Sequence, residues 1–205
     1  MKKIIIIIIF IIISIKSEID TSKMLIIFFT RTGNTELLTD YIKECLNIES
    51  YKIIPVKEYP SDTNEMTQTA RKERDTYDRP KIIQPLTDIS KYNKILLGYP
   101  IWFSYLPCIV ITQLLKLNFE GKTIYPFNTH ETSGIGSSNQ ELKLYTPGAI
   151  IKKGFAIKGS VIRNNKEDSM KEIKKWLKYH FGYEYDYKEI IKFKLIYLIC
   201  FVFII

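Results

Sequence analysis

Five short apolar runs, separated by amphipathic or charged stretches, predict an α/β protein with a parallel sheet and helices on both faces. Three observations carry this. The runs are short enough for strands, the segments between them place apolar residues at helical spacing, and the two kinds of segment alternate along the chain.

Residues 23–29 (KMLIIFF) read as the first strand. Thr30, Arg31, Thr32, Gly33, Asn34 and Thr35 follow at once. Leu37, Leu38, Tyr41, Ile42 and Cys45 then fall on one helical face. Residues 51–57 (YKIIPVK) predict a second strand, and Pro55, having no N–H for a ladder, places it at an edge. The highly charged stretch 60–80 predicts a solvated helix ending at Arg79-Pro80. Residues 94–98 (KILLG) predict a buried strand broken by Tyr99-Pro100, and a helix is expected over 106–117. Residues 122–127 (KTIYPF) give the next strand, followed by a loop through Ser133, Gly134, Ile135, Gly136 and Ser137. Residues 149–155 (AIIKKGF) give the last strand. Met170, Ile173, Trp176, Leu177 and His180 line one face of a last helix.

The chain has 205 residues, 46% of them hydrophobic, which excludes a disordered chain and predicts one domain with appendages. Cys45, Cys108 and Cys200 form no CxxC, and His130 and His180 are isolated, so a disulfide framework and a metal site are not expected. The ends stand apart. Met1-Lys2-Lys3 followed by ten apolar residues (4–13) and a small polar stretch predicts a signal peptide over 1–17 and entry into the secretory pathway. The alternative is a cytoplasmic chain. A hydrophobic tail, 181–205, ends in LIYLICFVFII. As a helix over 190–205 it would be ~24 Å long, short of a ~30 Å hydrocarbon core, so only weak membrane association is expected. Three lysines lie in 1–17 and the tail is balanced, so the body, 18–180, keeps +5 of the net +8. No dense basic run interleaves with aromatics, and a nucleic-acid partner is not supported.

The loop 30–35 carries the clearest chemistry. It lies at the carboxyl end of a strand and opens a helix, so its N–H groups and the helix dipole favour an anion. Three threonine hydroxyls add donors, Gly33 permits a tight turn, and the absence of lysine suits a monophosphate. Competing motifs fail. Gly121-Lys122-Thr123 resembles the end of a Walker A loop, but neither Lys116 nor Leu117 supplies its first glycine, and Lys122 begins a strand. No GxGxxG follows a strand, and no carboxylate follows the first strand as a phosphotransfer receiver requires. Cys45 and Cys108 sit in amphipathic helices, where thiols are commonly inert.

Thr30-x-Thr32-Gly33-Asn34-Thr35 after a first strand resembles the FMN phosphate loop of flavodoxins. Leu97-Gly98-Tyr99-Pro100-Ile101-Trp102-Phe103 is similar to the segment that lies against the flavin in flavodoxin-like oxidoreductases. Phe127-Asn128-Thr129-His130-Glu131-Thr132-Ser133-Gly134 is similar to their third flavin loop, with Glu131 and Thr132 where glycines are usual. The resemblance covers about residues 23–180. It implies a three-layer, doubly wound, five-stranded parallel sheet of order 2-1-3-4-5, with Cys45 and Cys108 on opposite faces.

It also implies FMN as cofactor, with NAD(P)H as a candidate donor and no metal. The implied contacts are Thr30, Arg31, Thr32, Gly33, Asn34 and Thr35 on the phosphate, and Pro100, Ile101, Trp102 and Phe103 on the ring, with Trp102 stacking. Thr129, His130, Ser133 and Gly134 supply the third loop, His130 being the candidate catalytic residue. The expected activity is electron transfer from a reduced nicotinamide or protein donor to a small-molecule acceptor or redox partner protein. The rivals are a one-electron carrier and a non-catalytic module of the same fold tethered at a membrane. Carriers of this family are usually acidic, and the positive body favours the oxidoreductase.

Overall fold

The central strand, β1 (Met24–Phe28), is buried along its whole length, as an interior strand covered on both faces requires. The computed structural model describes residues 19–182, so the expected signal segment and the apolar run 195–205 lie outside the described residues. After β1 come α1 (Asn34–Leu46), β2 (Glu49–Lys52), α2 (Thr63–Asp75), β3 (Lys94–Pro100), α3 (Cys108–Leu114) and β4 (Thr123–His130). Then follow α4 (Ser138–Tyr145), β5 (Ile150–Ile151), β6 (Phe155–Lys158), α5 (Gly159–Asn164) and α6 (Lys166–Phe181).

The sheet order is β2-β1-β3-β4-β5, with β6 also pairing β4, and every pairing is parallel. This is the doubly wound order 2-1-3-4-5, with its fifth position shared by two short strands. The single strand expected over 149–155 is therefore corrected: Lys152, Lys153 and Gly154 interrupt it, and pairing resumes at Phe155. β2 is an edge strand, as Pro55 indicated, but it starts earlier, and Pro55 itself bridges antiparallel to Ile82. α5 was not legible in the sequence.

The pleat divides the core. Leu25, Ile27, Phe29, Ile95, Leu97 and Tyr99 pack with Ile109, Val110 and Leu114 of α3 and Leu142 of α4. Met24, Ile26, Phe28, Leu96 and Phe127 pack on the other face with Leu38 and Ile42 of α1 and Trp176 and Leu177 of α6. Cys45 joins the second face, while Cys108 begins α3 on the first, so the sheet separates them.

The charged helix is shorter than its pattern. Asp62 Oδ1 caps α2 by accepting the N–H groups of Asn64 and Glu65, each at 2.9 Å. Met66, Ala70 and Glu73 form its buried stripe. The irregular crossing that follows is pinned by Gln113, fully buried on α3, whose amide brackets both backbone groups of Leu86.

Gly98 of β3 lies in register between Phe28 and Phe127. A Cβ there would overlap the Phe127 ring and approach Phe28 Cβ to 3.0 Å. Gly98→Ala is expected to cost about 1–3 kcal/mol by overpacking, read as a lower urea midpoint at unchanged slope.

Candidate functional site

All strands run parallel, so the loops after β1, β3 and β4 converge at one edge of the sheet. The first is 30–35. Gly33 takes φ +86 at the N-cap of α1, and no side chain caps the helix. Its own N–H donates to Thr30 Oγ1 at 3.0 Å, which leaves the Thr30 proton available to a ligand. Thr32 is exposed, and its hydroxyl forms no bond within the described residues. The first-turn N–H groups of a thirteen-residue helix therefore meet two threonine hydroxyls with nothing built to satisfy them.

The remaining loop residues are structural ties. Arg31 Nη1 donates to Pro60 O at 2.8 Å, latching the loop to the segment before α2. Asn34 Oδ1 accepts from Arg163 Nη1 of α5 at 2.6 Å. Thr35 is buried, and its hydroxyl shares a 2.8 Å bond with that of Thr129 on β4. One proton is spent on that bond and the other is left over.

The second loop turns sharply. Phe103 (φ +50) and Ser104 (φ +73) both take left-handed backbone between Trp102 and Tyr105, whose N–H and C=O groups bond to each other. Such a turn normally takes Asn or Gly, so Phe-Ser here stores strain. Side chains from α2 and α4 brace it. Arg74 stacks 3.2 Å from the Tyr105 ring centroid and pairs with Glu141, which also accepts the Leu106 N–H at 2.8 Å. Arg71 lies over Phe103. Trp102, half-buried, meets Phe29 and Tyr59 in T-shaped contacts with centroids at 5.6 and 5.0 Å. Pro100 ends β3, and the Ile101 N–H donates to Thr129 O at 2.9 Å.

Thr129 and His130 lie inside β4 and not in a loop, because the strand runs two residues past Asn128. This corrects the boundary expected from sequence. Thr129 is buried. His130 is half-exposed, its Nδ1 is buried without a partner, and burial lowers its imidazole from the ordinary value. Asn128, fully buried beside Tyr99, has both amide atoms unpaired. Glu131, Thr132 and Ser133 are exposed. Gly134 and Gly136 take positive φ, and Gly136 packs on Ser104, whose carbonyl accepts the Ser137 N–H at 2.8 Å.

The structure thus brings all three predicted segments together, and adds residues the sequence did not single out. Arg163 fixes Asn34 and lies 3.7 Å from Glu131. Tyr59 packs on Trp102 and donates its hydroxyl to Glu73 Oε2 at 3.0 Å. Glu73 is 8% exposed, and burial raises its carboxyl to about 7, against the pull of the Tyr59 bond and with a further push from Asp78. The spacing of Met66, Ala70 and Glu73 was the available signal, since it puts an acid on the buried stripe. Among the described residues no group of three or more His, Cys, Asp or Glu is placed to hold a metal ion.

The family described as Flavodoxin matches residues 23–179. A solved Bacteroides uniformis structure, assigned as a flavoprotein, is 28% identical, with TM-score 0.65 over 77% of this chain and 98% of its own. A second, from Bacteroides eggerthii and assigned likewise, is 30% identical, with TM-score 0.61 over 69% of this chain and 94% of its own. A Lactobacillus acidophilus flavoprotein solved in complex with FMN shares the fold at 19% identity, with TM-score 0.56 over 71% of this chain and 99% of its own. No curated protein matches in sequence.

Glu73 sets a pH dependence of stability. The folded chain holds its proton more tightly than the unfolded chain, so the favourable contribution is complete below about pH 4.5 and is lost as pH rises through about 7. Its size is on the order of 3 kcal/mol. Glu73→Gln, which still accepts from Tyr59, is expected to match the parent near pH 4.5 and to exceed it at pH 8, by urea unfolding at both values.

Proposed function

The chain belongs to the flavodoxin family, and from that premise we propose that it binds FMN across the three loops and acts as an oxidoreductase. It takes electrons from a reduced nicotinamide or a protein donor and passes them to a small-molecule acceptor. The observation that carries this reading is the uncapped start of α1. The short helices α3, α4 and α5 also lack a side-chain cap. Of the three helices longer than eight residues, however, α2 and α6 have side chains, Asp62 and Asn165, that accept their first-turn N–H groups, whereas α1 presents Gly33 and two open hydroxyls instead. A phosphate supplies the missing acceptor.

The residues present fit the cofactor. Thr30, Thr32 and the N–H groups of 34–36 hold the phosphate, while Arg31, Asn34 and Thr35 fix the loop that presents them. Trp102 would offer a flat apolar surface to the ring, and the Ile101 carbonyl and Phe103 N–H, which bond to no other backbone group among the described residues, would address its polar edge. Gly134 and Ser133 close the third side, and His130 contributes a ring nitrogen with no protein partner. FMN supplies the redox chemistry, and the protein supplies orientation and exclusion of water. The +5 body favours a small-molecule or acidic redox partner over docking to a basic one.

The purified chain is expected to be yellow, or to become so with added FMN; a protein that stays colourless after FMN is added sinks the reading. Stopped-flow mixing of the loaded protein with NADPH separates enzyme from carrier, the absence of reduction leaving the carrier. Thr32→Ala removes one charge-assisted bond of ~1.5–3 kcal/mol, so FMN affinity falls roughly tenfold to a hundredfold. Riboflavin, which lacks the phosphate, keeps its affinity, and an equal loss for both ligands would place the phosphate elsewhere.

A further inference from the structure

Glu73 is an acid with no ion pair among the described residues, turned into the first core face on the Met66, Ala70 stripe. Its one hydrogen-bond donor is Tyr59, whose ring packs on both Trp102 and Phe29. Trp102 in turn begins the strained turn at the site edge. We propose that Glu73 is a positioning residue for Trp102, its carboxyl charge setting through Tyr59 how firmly the tryptophan is held, so that flavin binding follows the protonation of Glu73. This rests on the flavin reading above only for the ligand that Trp102 receives.

The physical link is the Tyr59 hydrogen bond. Burial pushes the Tyr59 phenol upward, so it stays a donor throughout the working range. Accepted by a carboxylate, that bond is charge-assisted and roughly twice as strong as one to a neutral acid. Loss of the charge therefore loosens the ring against which Trp102 rests. Glu73 changes charge near pH 7, where both states are populated.

The other groups around Glu73 do not supply the switch. Asp78, exposed on the turn after α2, raises the Glu73 carboxyl. Cys108, at the start of α3, is pushed up to about 11 by burial and by Glu73. Arg74, Arg79 and Glu141 act on Cys108 and border the same cavity of about 310 Å³. Tyr105, from the turn itself, is covered by Arg74. His130 is held below its ordinary value.

The test uses the full chain labelled with 5-fluorotryptophan, without flavin, followed by fluorine NMR from pH 5.5 to 8.5. Trp102→Phe assigns the two core resonances. The Trp102 signal is expected to move with a midpoint near pH 7, and to be stationary in both Glu73→Gln and Tyr59→Phe. The Trp176 signal, 5.5 Å from His180, serves as a separate reporter of that histidine. A Trp102 signal that stays still in the parent, or still moves in Glu73→Gln as a His130 origin would have it, overturns the proposal. In parallel, FMN affinity is expected to tighten about fivefold across the same range in the parent and to be flat in both variants. Equal pH dependence in all three overturns the coupling to flavin. If FMN fails to bind at every pH, the flavin reading falls, while the fluorine experiment still decides whether Glu73 positions Trp102.

Discussion

Thr129 is the joint on which the site depends. Its hydroxyl holds Thr35 of the first loop, and its carbonyl takes the N–H of Ile101 in the second, while the strand it sits on leads into the third. Three segments far apart in sequence are thereby fixed at one edge of the sheet by one residue. The pairing is strict because both hydroxyls are buried, and a buried hydroxyl without a partner costs about 1–3 kcal/mol. A parallel sheet makes this arrangement possible, since it delivers the carboxyl ends of β1, β3 and β4 to the same side.

Around that joint the fold spends its polar contacts unevenly. The backs of the loops are fully tied, by Arg31 to Pro60, Asn34 to Arg163, and Glu141 to Leu106. The fronts are left open, at the α1 N-terminus, the Thr32 hydroxyl and the His130 Nδ1. Such a division fits a preorganised binding site: the ligand meets donors already held in place and does not bear the entropy of ordering them. The Phe103-Ser104 turn belongs to the same design. Its strained backbone is tolerated because Arg74 of α2, before it in sequence, and Gly136, in the loop after β4, hold it in place.

The two core faces differ in character. Against α1 and α6 the packing is aliphatic and aromatic apart from the small hydroxyls of Thr35, Thr39 and Ser169, with Phe127 and Phe155 each against Trp176. Against α2, α3 and α4 it includes buried polar groups, Glu73, Gln113, Asn128 and Ser138. Both the second and third loops descend onto that polar face. A buried acid there, one tyrosine from the site tryptophan, links the site to the protonation state of the core.

The sequence by itself determined the alternation of strands and helices, the edge position of β2, and the three segments that meet at the site. These are legible because they are local: apolar runs, a glycine at a tight turn, and polar clusters directly after strands. It also marked Trp102 and the 30–35 loop, whose chemistry follows from residue type. Only the tertiary structure decided the split of the last strand, the extension of β4 through His130, and the identity of the residues that hold the loops. The Thr35–Thr129 bond spans 94 positions and the Asn34–Arg163 bond 129, and no periodicity reports a pairing at such separation. Glu73 is the sharpest case. Its helical spacing placed it on a buried stripe, but the charge of the whole segment masked it, and only the packing of Tyr59 against Trp102 gave the buried acid a connection to the site.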